Sequence, residues 1–260
     1  MKVLKFGGSS VANSENIKKV LAIVAIASKE QKVAVVVSAF GKTTDNLLAA
    51  ANSALVDITI AKNILETIKE LHYQVIDDLI SSQKEEVLEV VTSLLDRLCS
   101  IYEGIFLLQE LSDKTLAKVS SFGERLSSFI IANAGKDLFD AAHKDSKTLI
   151  STNNEYLNAQ VNFKITNQNI ISFFDKNKHQ VTVLGGFISS NIKGETTTLG
   201  RGGSDFSASI YAAALNAVEL QIWTDVPGMF TANPRVVKQA YPISEISYEE
   251  AMELSHFGAK

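Results

Sequence analysis

The chain has 260 residues, and its 25 basic and 29 acidic residues give a formal net charge of −4 at neutral pH. Hydrophobic residues make up 46% of it, which excludes a mainly disordered chain and is ample for a core without metal or disulfide support. No basic excess is present to neutralise phosphates, so we expect no nucleic-acid partner. The single cysteine, Cys99, and the lack of a signal peptide or membrane-spanning run predict a cytoplasmic protein with no membrane partner.

The first 40 residues predict a strand, a helix and a second strand. Residues 3–6 are predicted to form a short strand that ends in glycines, and Ser14 is the predicted N-cap of the helix that follows. Val33–Val37 is a β-branched run, typical of a strand buried on both faces of a parallel sheet. This alternation indicates the α/β class.

Residues 45–125 have a helical pattern. Between Val87 and Ile105, apolar residues recur every three or four positions, as in an amphipathic helix, but without the sustained heptad of a coiled coil. We interpret residues 46–121, approximately, as a helical insertion packed on an α/β body. Cys99 lies near the apolar stripe and is interpreted as a small core residue rather than a nucleophile.

Strands and helices alternate again in the second half of the chain. The pattern predicts helices over residues 126–134, 165–174, 204–215 and 248–257, and strands over 181–184 and 220–224.

Turns that contain one or two glycines lie at residues 5–10, 184–187 and 224–228, where three predicted strands end, and a further glycine cluster lies at residues 199–205, where a helix begins. A single glycine pair is most often a plain tight turn. Four clusters at such positions favour a polyphosphate site, because glycine lets backbone N–H groups approach phosphate oxygens beyond the strand ends.

Other phosphate-binding and metal-binding patterns are absent from the sequence. It contains no G-x-x-x-x-G-K-[ST], no G-x-G-x-x-G opening a βαβ unit, and no protein-kinase motif set. The four histidines lack metal-ligand spacing and are interpreted as structural or surface residues: His72, His143, His179 and His256.

Several separated motifs together resemble the aspartate kinases of the amino acid kinase superfamily. In chain order they are Lys5-Phe6-Gly7-Gly8, Ser38-Ala39 with Thr44-Asp45, Phe122-Gly123-Glu124-Arg125, Gly200-Arg201-Gly202-Gly203-Ser204-Asp205, Trp223-Thr224-Asp225-Val226-Pro227-Gly228, Asn233-Pro234-Arg235 and Phe257-Gly258-Ala259-Lys260. The resemblance covers the whole chain and is greatest to the kinase portion of bifunctional aspartokinase–homoserine dehydrogenases. It implies a three-layer α/β/α sandwich around a mainly parallel sheet.

The resemblance also implies the reaction. The γ-phosphoryl group of ATP would pass to the side-chain carboxylate of L-aspartate and give 4-phospho-L-aspartate, the first step of lysine, threonine and methionine biosynthesis. A carboxylate is already ionised at neutral pH, so no general base is needed. Alignment and charge neutralisation remain, and the implied cofactors are ATP and Mg²⁺, with the metal held by the phosphates rather than by side chains.

The resemblance to the aspartate kinases also implies a role for each residue that occupies a matching motif position. The implied catalytic residues are Lys5 on the transferring group, Asp205 holding Lys5, and Lys260 on the nucleotide phosphates. Arg201 is expected to bind the α-carboxylate of L-aspartate, and Glu124 its α-ammonium group. The other implied amino-acid pocket residues are Ser38, Thr44, Phe187 and Ser204. The implied nucleotide-binding residues are Lys5, Gly7, Gly8, Ser9, Thr224, Asp225, Phe230, Arg235 and Lys260.

Each of these residues also has a structural interpretation. Arg201 and Asp205 could form a charge pair at a helix start, and Glu124 could be a solvated acid at another. Lys5 could be a surface lysine. The joint pattern, not any single residue, favours the functional interpretation.

Family members continue beyond this point into regulatory ACT domains, and bifunctional ones into a dehydrogenase. We therefore expect residues 1–260 to be the catalytic domain of a longer polypeptide, with weak activity and no feedback inhibition by itself. Homo-oligomers are left open, mainly for a full-length form.

Two other functions stay open at this point. One is another enzyme of the superfamily that phosphorylates glutamate, acetylglutamate or a nucleotide. The other is a catalytically silent module that binds nucleotide or amino acid.

Overall fold

The computed structural model describes residues 1–226, 228–234 and 236–256, without the side chains of residues 255 and 256. The chain divides into two compact units, residues 1–223 and residues 224–260. The strands of the described part are β1 (Lys2–Phe6), β2 (Val33–Val37), β3 (Ala141–Lys144), β4 (Ser151–Thr152), β5 (Val181–Gly185), β6 (Ile188–Asn191), β7 (Thr196–Thr198) and β8 (Glu219–Trp223). The helices are α1 (Ser14–Glu30), α2 (Thr43–Ala54), α3 (Ile58–Leu79), α4 (Lys84–Leu108), α5 (Asp113–Ser120), α6 (Phe122–Gly135), α7 (Phe163–Lys176), α8 (Gly203–Ala214) and α9 (Tyr248–His256).

The first unit is built on a five-stranded sheet in the order β3-β5-β2-β1-β8, and every pairing within it is parallel. Because parallel strands share their direction, the carboxyl ends of β1, β2 and β5 lie side by side at one edge of the sheet. The expected mainly parallel α/β fold is confirmed. A smaller sheet, β4-β6-β7, accompanies it.

Apolar side chains of the central strands alternate between two cores. In β2, Val33, Val35 and Val37 join the core formed with α1, α2, α3, α4 and α6. Ala34 and Val36 face the opposite way, into the core formed with α7 and α8. The sheet is thus covered by helices on both faces, which is the predicted three-layer arrangement, and β2 is buried along its full length as expected.

The helical layer on the first face consists of helices α1 to α6. The predicted apolar stripe lies on α4, where Val91, Leu95 and Leu98 are fully buried. Cys99 is a free, half-buried thiol that packs against the same core. The helical pattern of this region is confirmed, whereas its description as an insertion stays a prediction.

The structure corrects the predicted start of α1. The N-cap is Asn13, not Ser14: the extended backbone of Asn13 lets its side-chain oxygen accept the N–H of Asn16 at 2.9 Å. Ser14 is the first helical residue, and its hydroxyl donates to Asp78 on α3 at 2.6 Å. Both residue types are good caps, so local sequence alone did not decide between them.

The sequence pattern also missed β3 and the small sheet. β4, β6 and β7 have only two to four residues each, and many of them are Ser, Thr or Asn. Such short polar strands lack the apolar alternation by which strands are predicted.

The second unit contains α9, at the position predicted for the last helix, although Phe257 lies outside the described residues. Its start is a capping box: the Glu250 carboxylate accepts the Ser247 N–H at 2.9 Å, and the Ser247 hydroxyl accepts the Glu250 N–H at 3.3 Å. Across the described parts of both units, no helix combines the length and apolar character needed to cross a bilayer.

Candidate active site

The turns after β1, β2 and β5 lie against one another at the carboxyl edge of the central sheet. The Gly41 N–H donates to the Gly8 carbonyl at 3.1 Å, and the Gly186 N–H donates to the Val37 carbonyl at 2.8 Å. A Cβ atom on Gly8 would stand only 3.2 Å from the Gly41 carbonyl oxygen. Two of the predicted glycine turns therefore serve close packing between loops at the place where α/β folds bind ligands.

A cavity of about 240 Å³ opens at this edge. It lies among the ends of β1, β2 and β5 and the starts of α2, α6 and α8. Its lining residues are Lys5, Ser38, Thr44, Glu124, Phe187, Gly200, Gly202, Gly203, Ser204 and Asp205. The fold thus brings together residues that are widely separated in sequence and that were predicted for one site. Arg201, predicted for the same pocket, is exposed and does not line this cavity.

Lys5 and Asp205 form an ion pair at the cavity. The Lys5 Nζ atom lies 2.7 Å from Asp205 Oδ1, and Lys5 is only 8% exposed. Lys5 comes from a central strand and Asp205 from the first turn of α8, so the pair joins the sheet to a helix. Asp205 is therefore paired with Lys5, rather than with Arg201 as in the structural alternative. A cation held this way is oriented for an anionic ligand.

Glu124 is the buried carboxyl group of the cavity. It is 4% exposed, and burial raises its pKa from 4.5 to about 8, although hydrogen bonds with the backbone of Ala39 and of Glu124 itself lower it. Its Oε2 atom is buried without a partner among the described residues. Glu124 is not the solvated acid of the structural alternative. A buried, unpartnered carboxyl oxygen is suited to a ligand that brings a positive charge or N–H donors.

Helix α6 holds Glu124 in place through its neighbours. The Ser127 hydroxyl donates to the Ser38 carbonyl at 2.8 Å, which joins α6 to the loop after β2. At Gly123, an added Cβ atom would stand 2.7 Å from the Ala39 Cβ, so glycine is what lets the helix approach this loop. The amino-acid sequence alone signalled the motif but not this contact.

Phe187 also lines the cavity and lies in a strained turn after β5. Its φ angle is 64°, in the left-handed region that bulky residues avoid at a cost on the order of 1–3 kcal/mol. Its N–H donates to the Ser207 Oγ atom on α8 at 2.9 Å. Beside it, a Cβ atom on Gly186 would stand 2.6 Å from the Ser204 Cβ. This turn and the start of α8 are therefore fitted tightly to each other.

The predicted phosphate turn Gly7, Gly8 and Ser9 follows β1 directly. The Gly7 N–H donates to the Trp223 carbonyl at 3.4 Å, and Ser9 begins a short 3₁₀ helix that ends at Val11. The turn is built around Lys5: a Cβ atom on Gly7 would stand 3.5 Å from Lys5 Nζ. Phosphate binding by these three residues stays a prediction.

The remaining predicted nucleotide-binding residues lie in the second unit or outside the described residues. The Thr224 hydroxyl donates to the Asp225 carboxylate at 3.0 Å, and Phe230 pairs with Pro242 in an isolated antiparallel bridge. Arg235 and Lys260 lie outside the described residues. The roles of these five residues stay predictions.

Within the described residues, no three His, Cys, Asp or Glu side chains converge as a metal-ion site.

Sequence reasoning did not single out the buried Ser146, Ser207 and Tyr211, which support the cavity wall. Spacing could have indicated two of them, since Ser207 and Tyr211 follow Gly203 by four and eight residues and so lie on one helix face. Nothing in the sequence indicated Ser146.

Known proteins that are similar to this chain include kinases of amino acids. A sequence model described as "Amino acid kinase family" matches residues 1–260. The bifunctional aspartokinase/homoserine dehydrogenase of Buchnera aphidicola subsp. Acyrthosiphon pisum is 36% identical over 270 aligned positions, which cover 100% of this chain and 32% of that protein. Aspartokinase 1 (chloroplastic) of Arabidopsis thaliana is 35% identical, over 99% of this chain and 46% of its own length.

A solved structure is similar throughout the chain. The crystal structure of E. coli aspartokinase III in complex with aspartate and ADP matches with a TM-score of 0.90 and 31% identity. The match covers 100% of this chain and 57% of that one. The chain thus spans about a third to a little over half the length of these relatives.

Proposed function

The chain belongs to the amino acid kinase family, and from that premise we propose that it transfers the γ-phosphoryl group of ATP to the side-chain carboxylate of L-aspartate. The observation that carries the proposal is the cavity in which the Lys5–Asp205 ion pair and the buried carboxyl group of Glu124 lie together. The similarity to an aspartokinase whose structure was solved with aspartate and ADP supports the same assignment.

The residues of the cavity suit a reaction that needs no general base. The acceptor carboxylate of L-aspartate, with a pKa of about 3.9, is ionised at neutral pH and can attack phosphorus directly. Catalysis then depends on aligning the two substrates and neutralising the charge on the transferring group. Lys5, fixed by Asp205, supplies a positive charge for that group.

Glu124 provides a site for the α-ammonium group of the amino acid. Without ligand its pKa is about 8, so the carboxyl group is mostly protonated at pH 7. An ammonium group beside it would favour the carboxylate and form a buried ion pair. We assign Ser38, Thr44, Phe187 and Ser204 to the walls of the same pocket. Arg201 keeps its proposed role towards the α-carboxylate, which would require its exposed side chain to turn towards the ligand.

We place the ATP phosphates at the turn formed by Gly7, Gly8 and Ser9, beside Lys5. The start of α8 also faces the cavity, and the first N–H groups of a helix lack partners within the helix and attract anions. Thr224, Asp225, Phe230, Arg235 and Lys260 complete the proposed nucleotide site. Mg²⁺ held by the phosphates would neutralise part of their charge.

We further propose that residues 1–260 form one amino acid kinase catalytic domain, with residues of about 46–121 as its helical insertion. Its proposed partners are the small molecules ATP and L-aspartate. The cytoplasmic location and the formation of homo-oligomers stay predictions.

The test is a coupled assay for ADP release, with the acyl phosphate trapped by hydroxylamine as a hydroxamate. It compares L-aspartate with L-glutamate, N-acetyl-L-glutamate and UMP at equal concentration. We expect ADP and hydroxamate to form together with L-aspartate only. Turnover with another acceptor would replace the proposed substrate, and binding of ATP and L-aspartate without turnover by this chain or a C-terminally extended one would indicate a silent binding module.

A further inference from the structure

A chain of two buried hydroxyl groups ends at the wall of the cavity. Tyr211 on α8 donates its phenolic hydrogen to Ser146 Oγ at 2.8 Å, and Ser146 donates to the Gly185 carbonyl at 2.6 Å. Tyr211 and Ser146 are both fully buried. Gly185 is the last residue of β5, and the turn that follows it contains Phe187. The two hydroxyls therefore connect Tyr211, on α8, to Gly185, the residue at which the strained turn begins.

The same helix face contacts the turn at two other points. The Ser207 hydroxyl accepts the Phe187 N–H at 2.9 Å and donates to the Gly203 carbonyl at 2.8 Å. At Gly203 a Cβ atom would stand 2.9 Å from the Phe187 ring, so the helix touches the turn there. Gly203, Ser207 and Tyr211 are spaced by four residues and lie on one face of α8. Together these three residues hold the turn at Gly185, through Ser146, and at Phe187.

The turn of residues 185–187 also packs against Glu124, which lines the cavity. A Cβ atom on Gly185 would stand 3.1 Å from the carbonyl oxygen and Cβ of Glu124. On α8, which also carries Tyr211, Asp205 forms the ion pair with Lys5. Any loosening of the turn against α8 would therefore change the space between Phe187, Glu124 and the start of α8. A left-handed Phe187 persists only while its surroundings hold it.

We infer that Tyr211 and Ser146 are positioning residues, which hold the turn of residues 185–187 in its strained form and thereby set the shape of the pocket for the acceptor amino acid. They touch no substrate group and act through the Gly185 carbonyl. The inference rests on the proposed function for its kinetic readout, but its structural readout is independent of catalysis.

The test uses Tyr211→Phe and Ser146→Ala, each of which removes one hydroxyl and keeps the packing volume nearly intact. Tyr73→Phe is the matched control, because the Tyr73 hydroxyl also bonds an aliphatic hydroxyl, that of Thr92, at 2.9 Å between α3 and α4. Hydrogen exchange is followed in the peptide covering residues 185–189. Steady-state KM values are measured for L-aspartate and for ATP.

We expect faster exchange at residues 185–189 in Tyr211→Phe and Ser146→Ala, and unchanged exchange there in Tyr73→Phe. KM for L-aspartate should rise roughly three- to tenfold, the equivalent of one hydrogen bond, with KM for ATP and kcat within about twofold of the original values. The double variant should add little to either single one, because both hydroxyls belong to one chain of bonds.

Two results would overturn the inference. One is exchange at residues 185–189 in Tyr211→Phe that equals the exchange in Tyr73→Phe. The other is an equal rise of KM for ATP and for L-aspartate. If the unmodified chain shows no turnover with L-aspartate, the proposed function fails by itself, and hydrogen exchange alone then decides whether Tyr211 holds the turn.

Discussion

Lys5 Nζ lies 2.7 Å from Asp205 Oδ1, and this contact joins the inner strand β1 to the first turn of α8. The nearly buried ammonium group of Lys5 has lost most of its contact with water, and the Asp205 carboxylate compensates for part of that loss and holds the group in place. Asp205 thereby determines where the positive charge of Lys5 is directed within the cavity.

Replacing Lys5 should remove charge stabilisation of the transferring group. For Lys5→Ala we expect kcat for ADP release to fall by about 10²–10³, as when one preorganised donor is removed from an active site. Asp205→Asn keeps the shape but loses the charge, and kcat should fall about tenfold. Lys2→Ala is the control on the same strand, since Lys2 pairs with Glu30 and Glu219 instead. Equal rates for Lys5→Ala and Lys2→Ala would contradict the assignment.

Binding of L-aspartate should release a proton from Glu124. Burial raises the pKa of Glu124 to about 8, so at pH 7 the group is mostly protonated, and an arriving ammonium group lowers that pKa. Titration calorimetry at pH 7 in two buffers of different ionisation enthalpy should show release approaching one proton per ligand. Release should diminish above pH 8, where the carboxylate is already formed.

Two variants control the proton-release measurement. Glu124→Gln should abolish the release and weaken L-aspartate binding, because no carboxylate can form beside the ammonium group. Glu85→Gln, at an exposed position on α4, should leave both unchanged. Heats that do not depend on the buffer in the unmodified chain would argue against Glu124 as the ammonium site.

A methyl group at Gly186 should disturb the pocket. The added Cβ atom would stand 2.6 Å from Ser204 Cβ and 2.8 Å from Ser204 Cα, and a backbone atom cannot swing away. For Gly186→Ala we expect a loss of about 1–3 kcal/mol in the free energy of unfolding by urea, together with a higher KM for L-aspartate.

Gly104→Ala is the matched control within the helical layer. A Cβ atom there would meet nothing within 4 Å, and Gly104 lies inside α4. This change should stabilise the chain by about 0.5–1 kcal/mol and leave KM unchanged. A stability loss for Gly104→Ala as large as that for Gly186→Ala would mean that steric fit at the turn is not the cause.

His72 should make the fold sensitive to acid. It is fully buried on α3 and stacks on Phe40 with ring centroids 5.0 Å apart, and burial lowers its pKa from 6.5 to about 4. The unfolded chain therefore binds a proton more readily than the folded chain between these pH values. By itself, His72 should therefore lower the free energy of unfolding by on the order of 3 kcal/mol as the pH drops from 6.5 to 4, whereas Glu124, whose pKa is raised to about 8, contributes in the opposite direction.

The acid sensitivity is checked with urea unfolding at a series of pH values. His72→Phe keeps an aromatic ring against Phe40 but cannot titrate, so its free energy of unfolding should fall less between pH 6.5 and 4 than that of the unmodified chain. A contribution from His143 remains in the variant, because burial also lowers the pKa of His143 to about 4. His179→Gln, which replaces an exposed histidine, is the comparison and should keep most of the fall in free energy. An identical pH dependence for His72→Phe and the unmodified chain would show that His72 is not the titrating group.

Much of the fold could be predicted from the sequence because its signals are local. The β-branched run Val33–Val37 is a strand buried on both faces, and the stripe on α4 faces the core. In both cases the spacing of apolar residues directly reports which side chains leave water. The same signals failed for the short polar strands of β4, β6 and β7, where no such spacing exists.

The sequence by itself determined the α/β class, the family and most of the residues that line the cavity, because motifs and periodicity are read along the chain. Only the tertiary structure decided between Lys5 and Arg201 as the partner of Asp205, in favour of Lys5. Only it showed that Glu124 is buried with its pKa raised, and that Tyr211 reaches Gly185 through Ser146. These properties depend on distance and on exclusion of water between segments far apart in sequence. Both are set when the sheet and helices pack, and neither is encoded in local spacing.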